Sequence, residues 1–166
     1  MTLSLTVTSE LDFEAPVEHA RLELAAACAL EAADYPPESA DDGDEIEVSL
    51  CLVDRTASAQ LNNAYRGKNY ATNVLSFPAD AQVPGLVALG DLVICLPVVE
   101  EEAAAQHKSV GDHLLHLVVH GTLHLLGFDH VGDAEADSME AMERRVLAGF
   151  GIGDPYAPTS DADRTD

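Results

Sequence analysis

The sequence predicts an α+β fold of the α/β-like kind: a single domain with a small mixed β-sheet, packed by helices around a central histidine-bearing helix. Strand-like and helix-like segments alternate along the chain, with no internal repeat and no linker. The length of 166 residues suits one domain with a real core, and 47% of the residues are apolar, which excludes a disordered chain. The most apolar helical segment, 110–126, carries four of the seven histidines, so the core and the candidate chemistry coincide.

Residues 2–8 alternate as a strand does, and 16–34 read as a helix with Val17, Leu22, Leu24, Ala25 and Cys28 at its apolar positions. The run YPPESADDGDE, 35–45, mixes turn residues with like charge and reads as a polar loop. EIEVSLCLV, 45–53, alternates and then turns apolar, as a strand entering a core does. Asp54 is placed to cap a helix over 55–65. TNVLSFP, 72–78, reads as a short strand stopped by Pro78, and GDLVICL, 90–96, as a buried strand. Pro97 opens a helix, and Gly127 ends the histidine helix of 110–126. A last helix runs over 133–147 and stops near Gly149. The domain spans 1–156, and APTSDADRTD, 157–166, is expected to be a disordered tail.

Composition removes several function classes. No apolar run is long enough to span a membrane, since the stretch from Leu24 to Leu30 is closed by Glu23 and Glu31. The N-terminus lacks the basic region of a signal peptide. Cys28, Cys51 and Cys95 are an odd count without a C-x-x-C pair, which fits free thiols in a reducing cytoplasm. Thirty acids against eight Lys and Arg give a net charge of -22. That balance argues against broad nucleic-acid binding, which needs basic surface, and fits a solvated acidic exterior. Arg66 and Lys68, two apart in YRGKN, and Lys108 leave room for a local cationic site.

The stretch HGTLHLLGFDH, 120–130, spaces His120, His124 and His130 as H-x3-H-x5-H. Residues four apart share a helical face, so His120 and His124 can chelate one ion, as could His116 and His120. His116, His120 and His124 cannot all do so, because the outer two are roughly 12 Å apart along a helix rising about 1.5 Å per residue. A third ligand must return from beyond the helix, and the Gly127 break followed by His130 supplies one. The bland reading is three satisfied polar histidines beside a core. His116 is expected to pack or orient a ligand, His113 to lie at the surface, and His19 and His107 to face solvent. Asp129 is expected to cap the turn or to orient a ligand. Three histidines with no fourth protein ligand leave a position for water, which points to a catalytic zinc and to hydrolysis. The spacing matches the metzincin protease pattern H-E-x-x-H-x-x-G-x-x-H, except that Gly121 stands where the general base should be. Glycine moves no proton, so peptide hydrolysis loses its main support.

Together with LNNAYRGKNYATNVLSFP, 61–78, and LGDLVIC, 89–95, the histidine motif resembles the YbeY family of bacterial endoribonucleases, from about Ile46 to Tyr156. The resemblance implies a single-strand-specific, metal-dependent endoribonuclease with one zinc per chain. It implies work on the 3′ end of 16S ribosomal RNA and in ribosome quality control, in the cytoplasm. The implied partners are ribosomal RNA and the small ribosomal subunit or its associated proteins, with no DNA and no membrane. It places the metal ligands on His120, His124 and His130, and the arginine implicated in activity on Arg66. A guanidinium suits that role, since it clamps phosphate oxygens bidentately and is always charged. Phe128 departs from the family's usual tyrosine, and Asn73 from its usual aspartate. Two other readings are a zinc metalloprotease or other amide hydrolase that draws its base from elsewhere, for example Glu135 or Glu140, and a ribosome-assembly factor in which the metal is structural.

Overall fold

A computed structural model describes residues 2–10, 15–35, 44–129 and 132–156. Among them the elements run β1 (Thr2–Ser9), α1 (His19–Ala32), β2 (Glu45–Val53), α2 (Arg55–Arg66), β3 (Val74–Val83), β4 (Leu86–Cys95), α3 (Leu96–Ala105), α4 (Val110–Leu125) and α5 (Asp133–Gly149). The sheet has the order β1-β2-β4-β3, with β1, β2 and β4 parallel and β3 antiparallel to β4. The mixed sheet and interspersed helices are those the sequence predicts. The third histidine of the motif, the tail 157–166 and most of the 35–45 loop lie outside the described residues. No helix among the described residues is long and apolar enough to cross a membrane.

The alternation of β2 puts Ile46, Val48, Leu50 and Leu52 on one buried face. In register they meet Leu5 of β1 and Leu92 and Ile94 of β4. Asp54 caps α2 by accepting from the Ala57 amide at 2.8 Å, and Gly67 ends that helix in the left-handed conformation, φ 70°. The strand through Pro78 is longer than predicted. Proline is tolerated there because β3 is an edge strand and the register shifts between Pro78 and Ala81. Opposite it, Gly90 lets the strands close, since a Cβ there would lie 2.3 Å from the Phe77 carbonyl oxygen.

Helix α4 lies at the centre, packed by α1, α3 and α5 and by β3 and β4. Leu114, Leu115, Leu117, Val118, Val119 and Leu123 are all buried. The expectation that His113 is at the surface is wrong: it is 3% exposed and pairs with Glu102 of α3 at 2.8 Å. An apolar helix packed on so many sides leaves it no solvent-facing side. Gly121 sets how closely α4 approaches the sheet. A Cβ at 121 would lie 2.8 Å from Leu92 Cδ2 and 3.3 Å from Ser76 Oγ, and those two residues are register partners on β4 and β3. The Ser76 hydroxyl donates to the Gly121 carbonyl at 3.2 Å, clipping helix to sheet.

Gly121→Ala should therefore lower the unfolding free energy, although alanine is the better helix former by about 1 kcal/mol. Overpacking against Leu92 costs about 1–3 kcal/mol and should prevail. Urea unfolding checks this, and a stabilised variant would show that helix and sheet have room to part.

Candidate metal centre and its cleft

The helical period stacks His113, His116, His120 and His124 along α4. His120 and His124 turn their Nε2 atoms toward each other, 3.1 Å apart. Two nitrogens bound to one tetrahedral zinc at about 2.0–2.1 Å stand about 3.3 Å apart, so the pair fits a shared ion. Beyond them Gly127 takes φ 98°, and the Phe128 amide donates back to the Leu123 carbonyl at 3.2 Å. This glycine-terminated turn reverses the chain toward Asp129. His130 follows outside the described residues.

The other nitrogen of His120 belongs to a buried network. Glu143 of α5 is fully buried. Its Oε1 accepts from His120 Nδ1 at 2.7 Å and from His116 Nε2 at 3.2 Å. Its Oε2 accepts from the Tyr156 hydroxyl at 2.7 Å. Burial pushes this carboxyl up, but the hydrogen bonds from His116, His120 and Tyr156 outweigh it and hold it down at about 2. Glu143 is thus ionised at neutral pH and only accepts, so the nearest His120 nitrogen, Nδ1, must carry the proton. In the neutral ring the lone pair is then on Nε2, the atom turned toward His124. Burial lowers His116, against the pull of Glu143. Burial, and donation to Glu143, raise the Tyr156 hydroxyl far above its ordinary range, which keeps it a donor. Tyr156 is held in place by Arg144, whose guanidinium lies 5.7 Å from its ring centroid and also pairs with Asp154. His116, His120 and Glu143 each offer a ligand atom within 4.8 Å of the others and could hold a metal ion.

The histidine pair faces an open cleft of about 640 Å³ whose walls include Arg66, Thr72, Asn73, Ser76, Phe128 and Asp129. Arg66, exposed on the last turn of α2, shares this cleft with His120 and His124. Lys108 does not: it lines a smaller pocket with Glu102, His113 and His116. Neither Glu135 nor Glu140 lines the histidine cleft, and Glu140 lies 3.5 Å from Arg144. Asn73 donates to Glu102 at 3.0 Å. An aspartate at 73 would set carboxylate against carboxylate, so the amide matches its neighbour.

A model of the family described as Endoribonuclease YbeY matches residues 12–151. The chain belongs to the YbeY endoribonuclease family. Relatives named Endoribonuclease YbeY include one from Pseudomonas syringae pv. syringae (strain B728a), 56% identical over 119 residues, covering 70% of this chain and 72% of the relative. One from Pseudomonas putida (strain W619) is 58% identical over 113 residues, covering 67% and 72%. One from Xanthomonas oryzae pv. oryzae (strain MAFF 311018) is 57% identical over 118 residues, covering 68% and 73%. The solution structure of TM1509 from Thermotoga maritima spans 93% of this chain and 100% of its own, at 23% identity and a TM-score of 0.54, and supports the fold. In this YbeY chain the structure brings His120, His124 and Arg66 to one cleft. Sequence reasoning missed Glu143. Its signal was an acid on the apolar stripe of α5, in helical step with Met139, Val146 and Leu147.

Glu143→Gln should weaken divalent-metal affinity by about 10- to 100-fold, the usual effect of losing a partner that orients a ligand. Competitive chelator titration measures it. Unchanged affinity would remove the orienting role, and loss of all tight binding would mark Glu143 as a ligand itself.

Proposed function

We propose that this protein is a metal-dependent endoribonuclease that cuts single-stranded RNA during ribosomal RNA maturation. In this reading His120, His124 and His130 hold a zinc ion and Arg66 grips the phosphate. The observation that carries it is the Nε2 pair of His120 and His124, 3.1 Å apart, in the cleft shared with Arg66. Ribosomal RNA as the substrate, the small subunit as a partner and a cytoplasmic setting rest on the family resemblance.

The donor set fits a metal on the Nε2 side better than between His116, His120 and Glu143. The separations around Glu143, 2.7 Å and 3.2 Å, are those of hydrogen bonds, and its second oxygen is taken by Tyr156. A zinc ion in the histidine cup would polarise the phosphate and activate water. His120 is held in one tautomer by Glu143, so its lone pair is ready without rearrangement. Arg66 can stabilise the negative charge that builds on the non-bridging oxygens as the phosphodiester breaks. Phosphoryl chemistry draws more from such a cation than peptide hydrolysis does.

The amide-hydrolase reading loses further ground at Gly121. A side chain there points at Leu92 and Ser76, inside the helix–sheet contact. A glutamate at that position would have to push Leu92 and Ser76 aside before it could reach the cleft, so Gly121→Glu should not yield a peptidase.

Purified protein should carry about one zinc-class ion per chain, measured by elemental analysis. His124→Ala should lose tight binding. His113→Ala should keep the metal and lose about 1–3 kcal/mol of stability, because it empties a buried site and removes the hydrogen bond to Glu102. Equal metal loss in both would sink the ligand assignment. Arg66→Ala should cut RNA cleavage by roughly 100- to 1000-fold with metal retained, the effect of removing one transition-state donor. Arg66→Lys should recover only part, since it keeps charge without the fork. Cleavage per folded molecule is the measurement, and a normal rate in Arg66→Ala would remove that role.

A further inference from the structure

The chain holds thirty acids, yet none lies between Arg55 and Ala79. That acid-free segment contains Arg66 and Lys68, and it forms α2, the loop after it and the start of β3. At the loop the sequence reads Tyr-Arg-Gly-Lys-Asn-Tyr, 65–70. Tyr65 is 54% exposed and Tyr70 57% exposed, among the most open large apolar side chains of the described residues. Among those residues neither Arg66 nor Lys68 is in an ion pair.

The loop is fixed in place. Asn62, fully buried, donates to the Tyr70 carbonyl at 2.9 Å. Ser58, also buried, donates to the Thr72 carbonyl and accepts from the Thr72 amide, both at 3.0 Å. The Lys68 amide donates to the Asn62 carbonyl. Tyr65 packs edge-on against Phe77, ring centroids 4.5 Å apart. Buried polar groups thus hold the backbone while two phenol rings and two cations stay open to solvent. Tyr65 and Arg66 line the histidine cleft, the chain leaves it at Gly67, and Thr72 re-enters it. Solvent-exposed rings and cations on a pinned backbone are the elements of a single-strand binding path. Rings stack bases whatever their sequence, and cations take the phosphates between them. A protein-docking surface explains the exposed rings but not the missing acids.

We propose that Tyr65–Tyr70 is a stacking platform for single-stranded RNA. It carries the strand out of the cleft from the phosphate at Arg66, past Lys68, to a base stacked on Tyr70. The proposal rests on the RNA reading above and adds the residues that favour unpaired strands, because a duplex keeps its base faces covered. The test is the Kd of the metal-loaded protein for a nuclease-resistant single-stranded RNA analogue (2′-O-methyl, phosphorothioate-linked) and for the matching duplex. Tyr70→Ala should weaken single-strand binding by about 5- to 150-fold, the range for one stacked base. Duplex binding should be unchanged, and Tyr70→Phe should bind within about twofold of wild type, since the ring and not the hydroxyl stacks. The chain has no tryptophan, so Tyr70→Trp gives a sole tryptophan, excited selectively over the remaining tyrosines, whose fluorescence single strands should quench. A Tyr70→Ala protein that binds the single strand as wild type does overturns the platform and leaves the endoribonuclease reading standing. A wild-type protein that neither binds nor cuts single-stranded RNA overturns both.

Discussion

A helix packed by three helices and a sheet cannot carry four histidines unless the protein answers at least one ring nitrogen of each, and here Nδ1 of His113 and of His116 stay buried without a partner among the described residues. That constraint organises this molecule. An imidazole taken out of water without a partner costs about 1–3 kcal/mol, and α4 holds His113, His116, His120 and His124 on successive turns. Two carboxylates meet the need from neighbouring helices. Glu102 of α3 receives His113 and Asn73. Glu143 of α5 receives His116, His120 and Tyr156. What reads as an apolar core helix is therefore the spine of a polar network, and the network ends at the Nε2 atoms of His120 and His124.

Two features turn that network into a site. Glu143 fixes which nitrogen of His120 is protonated, so the lone pair faces the cleft before any ligand arrives. Gly121 removes the side chain that would hold α4 off Leu92 and Ser76, so the histidine turn sits directly against the strands that wall the cleft. The glycine that denies the site a protease's base thus belongs to its architecture.

The parts of this arrangement that follow local rules were legible in the sequence. The i,i+4 spacing of His120 and His124, the left-handed Gly127, the Asp54 cap and the alternation of 45–53 each depend on residues within a few positions of one another. Glu143 lies 23 residues from His120, in a helix rich in acids, and only its place among Met139, Val146 and Leu147 sets it apart. His113 was misjudged because its partner, Glu102, belongs to another helix. Pro78 looked like a strand end because proline breaks ladders, and only sheet order reveals that β3 is an edge. Tyr156 reaches Glu143 through the folded-back segment after α5, which no periodicity announces.

The charge distribution completes the account. The acids that dominate the chain are absent from the segment that builds one wall of the cleft, so an acidic protein can still present a face that tolerates a polyanion. The most direct test of the central claim is X-ray absorption at the metal edge of the purified, metal-loaded protein. The account predicts coordination by three imidazoles and no protein carboxylate, unchanged in Glu143→Gln apart from weaker occupancy. Two imidazoles with a carboxylate that disappears in Glu143→Gln would put the ion between His116, His120 and Glu143, and would contradict it.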